Sequence, residues 1–244
     1  MVITKLSYIC ACNVKDTMKK SKLILLVALM LCFVTKSHGQ KGNYRITNGI
    51  GVFGGITKTE IATDNFVTEQ GNGFIGGLVA TVDIPHKWYN ISFGMQLSES
   101  PVHILGRPTV SSAANEFIDY KLFAAQVAML MHIKVAESYF TIDLGPMLQY
   151  NGKLELKDQG QKAYIVNNYD NLSAADITNI SQFNINGAIG VTAGLKYFKL
   201  KAQYIYGFTN ILKKLNSENR DTTGGNSSFK GNQSTLVLGA MITF

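Results

Sequence analysis

Three histidines lie beyond residue 39, and each suggests a different chemistry. His103 stands near Ser98, Glu99 and Ser100 in the sequence, the residue types of a nucleophile–base–carboxylate relay. Such a relay needs its members within hydrogen-bond reach of one another. Nearness in a polar loop does not supply that geometry, and Ser/Glu-rich loops also serve solubility. His86 falls in a short link between two alternating segments, and His132 lies on the polar face of another. No GxxxxGK[ST], HExxH or GxSxG pattern is present. The glycines of Gly51–Gly55 sit in an alternating segment with no helix after it, which reads as close strand packing rather than a phosphate cradle. Cys10, Cys12 and Cys32 all precede residue 40. Disulfides, thiolate catalysis and Cys-based metal sites are therefore excluded for the rest of the chain. No cofactor or metal is implied.

The chain has 244 residues, of which 46% are hydrophobic and 16% charged, with a formal charge of +7. That apolar content argues against a disordered chain. The charge is concentrated at the start, where Lys5, Lys15, Lys19, Lys20, Lys22 and Lys36 face only Asp16. The remainder is nearly neutral, so the net charge gives no basis for a nucleic-acid partner. Met18-Lys19-Lys20-Ser21-Lys22, the apolar run Leu23–Val34 and the small residues Ser37 and Gly39 describe a signal peptide cleaved after Gly39. Twelve apolar residues would span about 18 Å as a helix, short of a bilayer core of about 30 Å. Residues 1–39 are thus read as a leader, with the signal beginning at about residue 18, and 40–244 as one domain. Met1–Thr17 fits neither part, and a start at Met18 would account for it.

Beyond Gly39 the dominant hydrophobic period is two, the period of a β-strand. Tyr89, Ile91, Phe93, Met95 and Leu97 alternate with Asn90, Ser92, Gly94, Gln96 and Ser98. Similar alternation recurs through 140–150, 184–196, 200–209 and 233–244, and less tidily through 48–58, 73–85 and 117–134, where the outer half of the last segment has room for a bulge. Eight segments result. Short links near Pro85-His86-Lys87, Val135-Ala136-Glu137 and Phe198 alternate with long polar ones at about 59–72, 99–116, 152–183 and 212–231. That alternation predicts an all-β protein, an eight-stranded antiparallel up-and-down transmembrane β-barrel with four long outer loops and three short periplasmic turns. A soluble barrel would turn its apolar faces inward. Here the apolar faces of the central spans carry no charged residue, and eight greasy stripes in water would far exceed the patches tolerated on soluble proteins. Aromatics gather at the strand ends. Trp88, Tyr89, Tyr139, Tyr197 and Phe244 form an expected periplasmic belt, with Phe140 and Phe198; Phe117, Tyr120, Tyr150, Phe183, Tyr206 and Phe208 form an outer one.

The opposite faces predict the lumen. Asp83, Gln96, Asp143, Lys196, Lys201, Gln203 and Gln233 should point inward, with Asp143, Lys196, Lys201 and Gln203 as a structural polar cluster. A buried charge needs a partner, so an Asp143–Lys196 or Asp143–Lys201 pair is expected. Eight strands leave an interior that side chains nearly fill, which favours a plug over a pore. The longest loop, 152–183, places Tyr164, Ile165, Val166 and Tyr169 where a partner protein or polysaccharide could meet them; an ordered loop packed on its neighbours fits the same residues.

The junction Gly39-Gln40, the Gly-rich strand Gly51-Val52-Phe53-Gly54-Gly55 and the ending Leu236–Phe244 resemble the PorT-like and OmpA-type "outer membrane protein beta-barrel" families of Bacteroidota. The resemblance covers roughly residues 42–244. It implies residence in a Gram-negative outer membrane, contact with outer-membrane lipid and lipopolysaccharide, and recognition of the strand ending at Phe244 by the barrel-insertion machinery. The expected role is structural or an interaction at the cell surface, without catalysis. Two alternatives stand beside it: an accessory of a protein secretion or assembly system, as PorT-like membership would imply, and a lipid A-modifying barrel enzyme.

Overall fold

The computed structural model describes residues 49–82, 84 and 87–244. The expected leader and its expected cleavage site, with Asp83 and His86, lie outside the described residues. Eight long strands follow one another: β1 (Gly49–Ala62), β2 (Gly71–Val82), β3 (Tyr89–Arg107), β4 (Glu116–Ala136), β5 (Phe140–Leu156), β6 (Phe183–Gly194), β7 (Phe198–Gly207) and β8 (Asn232–Thr243). Each pairs antiparallel with the next, and β8 returns to β1 in register from Gly51↔Thr243 to Ala62↔Asn232. Closure leaves no free edge, so the strand backbones bond one another all the way round.

The period-two pattern determines which way each face looks. Ile50, Val52, Ile56, Phe74, Leu78, Phe93, Met95, Leu97, Leu148, Ile185, Ile189, Leu200 and Leu238 are all exposed on the outer wall. Burying one such side chain is worth about 1.5–3 kcal/mol, so a whole wall of them in water would forgo tens of kcal/mol. Facing hydrocarbon, the same wall is at home, and the architecture is that of a transmembrane β-barrel. Gly145 shows how tightly the ring closes: a Cβ there would lie 2.0 Å from the Met129 carbonyl oxygen.

The outer ends depart from the sequence reading. The link expected at 99–116 is mostly strand, because β3 runs on to Arg107 against the start of β4. A bulge does fall at this level, but its extra residue is on β5, opposite Leu122–Ala124, and not in the β4 segment where it was expected. Ahead of it Asp143, Gln149 and Asn151 face inward; after it the parity flips and Leu154 becomes the buried residue. The two-residue strand Thr68–Glu69 adds to β3 at Ile104 and His103. Ile165–Val166 pairs with Arg107 and Gly106.

Above the membrane wall the loops fold onto one another. Ile61, Phe66, Val102, Ile104, Ile118, Tyr120, Leu122, Leu154, Val166, Tyr169, Leu172, Ile177, Ile180, Ile211, Leu215 and Phe229 form one buried apolar cluster. Tyr169 stacks on Phe229 with ring centres 6.0 Å apart, and Phe66 tilts against both. This dome closes over the outer end of the barrel. Tyr120 belongs to it, with its hydroxyl donating to the Ala174 carbonyl at 2.9 Å, and so is not part of the outer aromatic belt.

Candidate functional site

The inward faces stack in layers between the short-turn mouth of the barrel and the dome. The lowest is polar and contains Thr81, Asn90, Ser92, His132, Thr141, Asp143, Thr192, Lys199 and Lys201. An apolar layer follows, formed by Phe53, Ile75, Val79, Ala128, Leu130, Met147, Ile205, Val237 and Met241. Above it comes an amide layer centred on Gln149. The Gln149 Oε1 accepts from Gln126 at 2.9 Å and Asn186 at 2.7 Å, while its Nε2 donates to Asn151 at 2.6 Å and Gln233 at 2.7 Å. All four of its hydrogen-bonding positions are used, which is what a buried amide requires.

Asp143 is the hub of the lower layer, but its partner is not the one expected. Its carboxylate meets His132 Nδ1 at 2.6 Å and accepts from Thr141 at 2.7 Å and Thr192 at 2.5 Å. On the far side of the ring, His132 Nε2 is 2.7 Å from the Ser92 hydroxyl. These residues belong to β3, β4, β5 and β6, so the chain of hydrogen bonds ties four adjacent strands together. The ring is thus held from both sides, Nδ1 against the carboxylate and Nε2 against the Ser92 hydroxyl.

Serine, imidazole and carboxylate in that order have the connectivity of a hydrolytic relay. The surroundings do not suit one. Ser92 is 2% exposed and faces a cavity of about 30 Å³. A water requires about 10–15 Å³ of such space, so two or three waters fit where an acyl substrate would have to enter. The network braces the barrel wall.

Lys196, expected inward, is exposed in the turn Leu195–Tyr197, with its ammonium 5.1 Å from the centre of the Tyr197 ring. The reason is the position of the turn: β6 stops at Gly194 and β7 starts at Phe198, earlier than the alternation suggested, so Lys196 never joins a wall. Lys199 takes an inward place instead and was missed, although it shares parity with Lys201 and Gln203. Lys201 and Gln203 do face the lumen, but Lys201 makes no ion pair with Asp143; it sits over the Phe53 ring at 5.4 Å. Several buried amide atoms lack a protein partner, among them Asn90 Oδ1 and Nδ2, Gln96 Oε1 and Gln203 Nε2.

The relay considered around His103 does not form. His103 lies outward on β3 and meets Asp119 of β4 at 2.6 Å. Ser98 and Ser100, of opposite parity, are buried in the lumen. Among the described residues no group of His, Cys, Asp and Glu is placed to hold a metal ion. At the short-turn rim Trp88, Tyr139, Tyr197 and Phe244 are exposed, and Tyr89 meets Trp88 edge-on at 5.1 Å.

In loop 152–183 the apolar residues turn inward. Val166 and Tyr169 are buried, and the exposed positions are Lys153, Glu155, Lys157–Gly160, Lys162, Ala163, Asn168, Asn171 and, at its end, Phe183. Ion pairs lace the dome surface: Glu99–Lys121 at 3.1 Å, Asp119–Lys157 at 3.8 Å, Arg107–Asp170 at 3.7 Å and Arg220 with both Asp176 and Glu218. Hydrogen bonds from Arg220 and Asn179 hold the Glu218 carboxyl below its ordinary range. Burial raises the Tyr169 phenol above its own.

No family model matches the chain, and no curated protein matches it. Among solved structures, the chain is similar to Neisserial surface protein A, with 13% identity, a TM-score of 0.48 and coverage of 80% of this chain and 97% of that one. It is also similar to Ail, the attachment invasion locus protein of Yersinia pestis, crystallised with the heparin analogue sucrose octasulfate, with 12% identity, a TM-score of 0.43 and coverage of 81% and 99%. What the closed ring, outward apolar wall and filled interior define is a class: an eight-stranded transmembrane β-barrel.

Proposed function

We propose that this chain is an outer-membrane barrel of a Gram-negative cell, exported through a leader cleaved after Gly39. Its job is to hold a shaped surface outside the cell for a protein or polysaccharide partner, and the barrel performs no catalysis. The carrying observation is the dome. Ordering a loop costs roughly 1–2 kcal/mol per residue in backbone entropy. Here the outer loops meet that cost with a shared core around Tyr169 and Phe229 instead of staying open. A fixed loop surface serves recognition, whereas a conducting barrel would keep its path clear. The outward surface of the dome mixes lysines with carboxylates that pair with them, which favours a partner without a strong charge of one sign. The PorT-like and OmpA-type resemblance of residues 42–244 supports the Gram-negative setting.

A deletion strain tests the reading. The expected result is unchanged secretion of surface proteins, unchanged lipid A mass and altered adherence or aggregation of whole cells. Lost secretion, or a shifted lipid A mass, overturns it in favour of an accessory or an enzyme. Planar-bilayer recording of the purified protein should show only small, sporadic conductance; a large and steady one also overturns it.

A further inference from the structure

The lower lumen holds two buried ammonium groups that form no ion pair among the described residues. Lys199 and Lys201 leave β7 on its inward face, 6% and 7% exposed. Among the described residues neither has a carboxylate within ion-pair distance or a hydrogen-bond acceptor; the Phe53 ring is the neighbour of Lys201. Among the described residues Asp143 is the carboxylate of that layer, and His132, Thr141 and Thr192 already occupy its oxygens. Among the described residues, two buried ammonium groups therefore share the layer with one carboxylate that is already engaged elsewhere. An unpaired buried charge is among the most expensive features a fold can carry, so such groups are found paired or bound to an ion.

Both lysines line the same cavity of about 30 Å³, together with Thr81, Ser92, Gln96 and Thr192. That space suits two or three waters or one small ion. Charge, size and donor set agree. We infer that the cavity is a binding site for a small monovalent inorganic anion of halide size, held between the ammonium groups of Lys199 and Lys201. One such ion gives the two ammonium groups a counter-charge, and the apolar layer of Phe53, Val79 and Leu130 bounds the site from above. The ion would complete the polar girdle of the lower barrel, a structural anion serving a β-barrel wall.

The test uses the full barrel in detergent, unfolded in urea at constant sodium concentration and ionic strength while chloride replaces gluconate, which is too large for the cavity. Chloride at ten times its dissociation constant should raise the folded-to-unfolded ratio about elevenfold, saturating beyond that. Lys201→Met and Lys199→Gln should abolish the chloride response while retaining the heat-modifiable gel shift of a folded barrel. Crystals soaked in sodium bromide should show an anomalous peak between the two Nζ atoms; this measurement on the unaltered protein stands even where a variant fails to fold. Equal stability in chloride and gluconate, a chloride response that survives both substitutions, or an absent bromide peak overturns the site. Sulfate acting as strongly as chloride overturns its monovalent character.

Discussion

Truncating Tyr169 to alanine should open the dome while leaving the barrel shut. The Tyr169 ring is fully buried, lies 6.0 Å from Phe229 and 6.1 Å from Phe66, and packs so closely on Gly225 that a Cβ there would meet it at 2.4 Å. Its hydroxyl accepts from Asn65 and donates to the Asn226 carbonyl, each at 3.2 Å. Removing a buried aromatic side chain costs about 3–5 kcal/mol. The two hydrogen bonds contribute about 1 kcal/mol each, which Tyr169→Phe isolates. At 1.4 kcal/mol per factor of ten, the alanine variant should raise the open fraction of the loops by roughly 100-fold or more, and the phenylalanine variant by roughly 30-fold. Trypsin added outside nanodisc-embedded protein reads that fraction, because Lys213, Lys214, Arg220 and Lys230 lie in the last loop and cleavage follows transient opening when closing is fast. Heat-modifiable migration reports the barrel separately. Alanine-variant cleavage within threefold of the unaltered protein, or loss of the gel shift, would refute a dome with its own core standing on an independent barrel.

Asp143→Ala removes the acceptor shared by His132, Thr141 and Thr192 and should lower stability by about 3–5 kcal/mol; urea unfolding followed by the single tryptophan, Trp88, measures it, and a change under ~1 kcal/mol would count against the girdle. Gly145→Val puts carbon atoms against the Met129 carbonyl and should prevent β4 and β5 from closing, seen as loss of the heat-modifiable band after refolding. Glu218 is held below its ordinary range by Arg220 and Asn179. A depressed folded value means its contribution is complete above the unfolded pKa of about 4.3 and disappears as pH falls through the lower folded value. Cleavage of the last loop by pepsin should therefore rise as pH drops below about 4, and Arg220→Met should flatten that rise.

Much of this was legible because a β-wall between lipid and lumen has a period of two. Tyr89 to Leu97 against Asn90 to Ser98 gives strand, face and membrane side together. His132 and Gln203 followed from parity alone. Lys196 failed because alternation does not mark where a tight turn falls: Ile185–Leu195 and Leu200–Phe208 continue the same pattern on either side of it, so the turn was read near Phe198 instead of at Leu195–Tyr197. The dome left an unread signal. On the inward face, polar Ser98 and Ser100 give way to Val102 and Ile104, and Ala124 gives way to Leu122, Tyr120 and Ile118. An apolar inner face rising above the membrane announces a second core.

The sequence by itself determined the strand count, the closed ring and the side that meets lipid, since these depend on local alternation and link lengths. The tertiary structure decided which buried charges meet. Asp143 lies opposite His132 in the β4–β5 register, and Thr192 reaches it from β6 while Lys201 does not come within ion-pair distance. Pairing across a barrel depends on shear and on where a bulge inserts its residue, and neither is written within any one strand. The dome core likewise joins Phe66, Tyr169 and Phe229 from three loops, contacts that exist only once the ring has brought those loops to the same end.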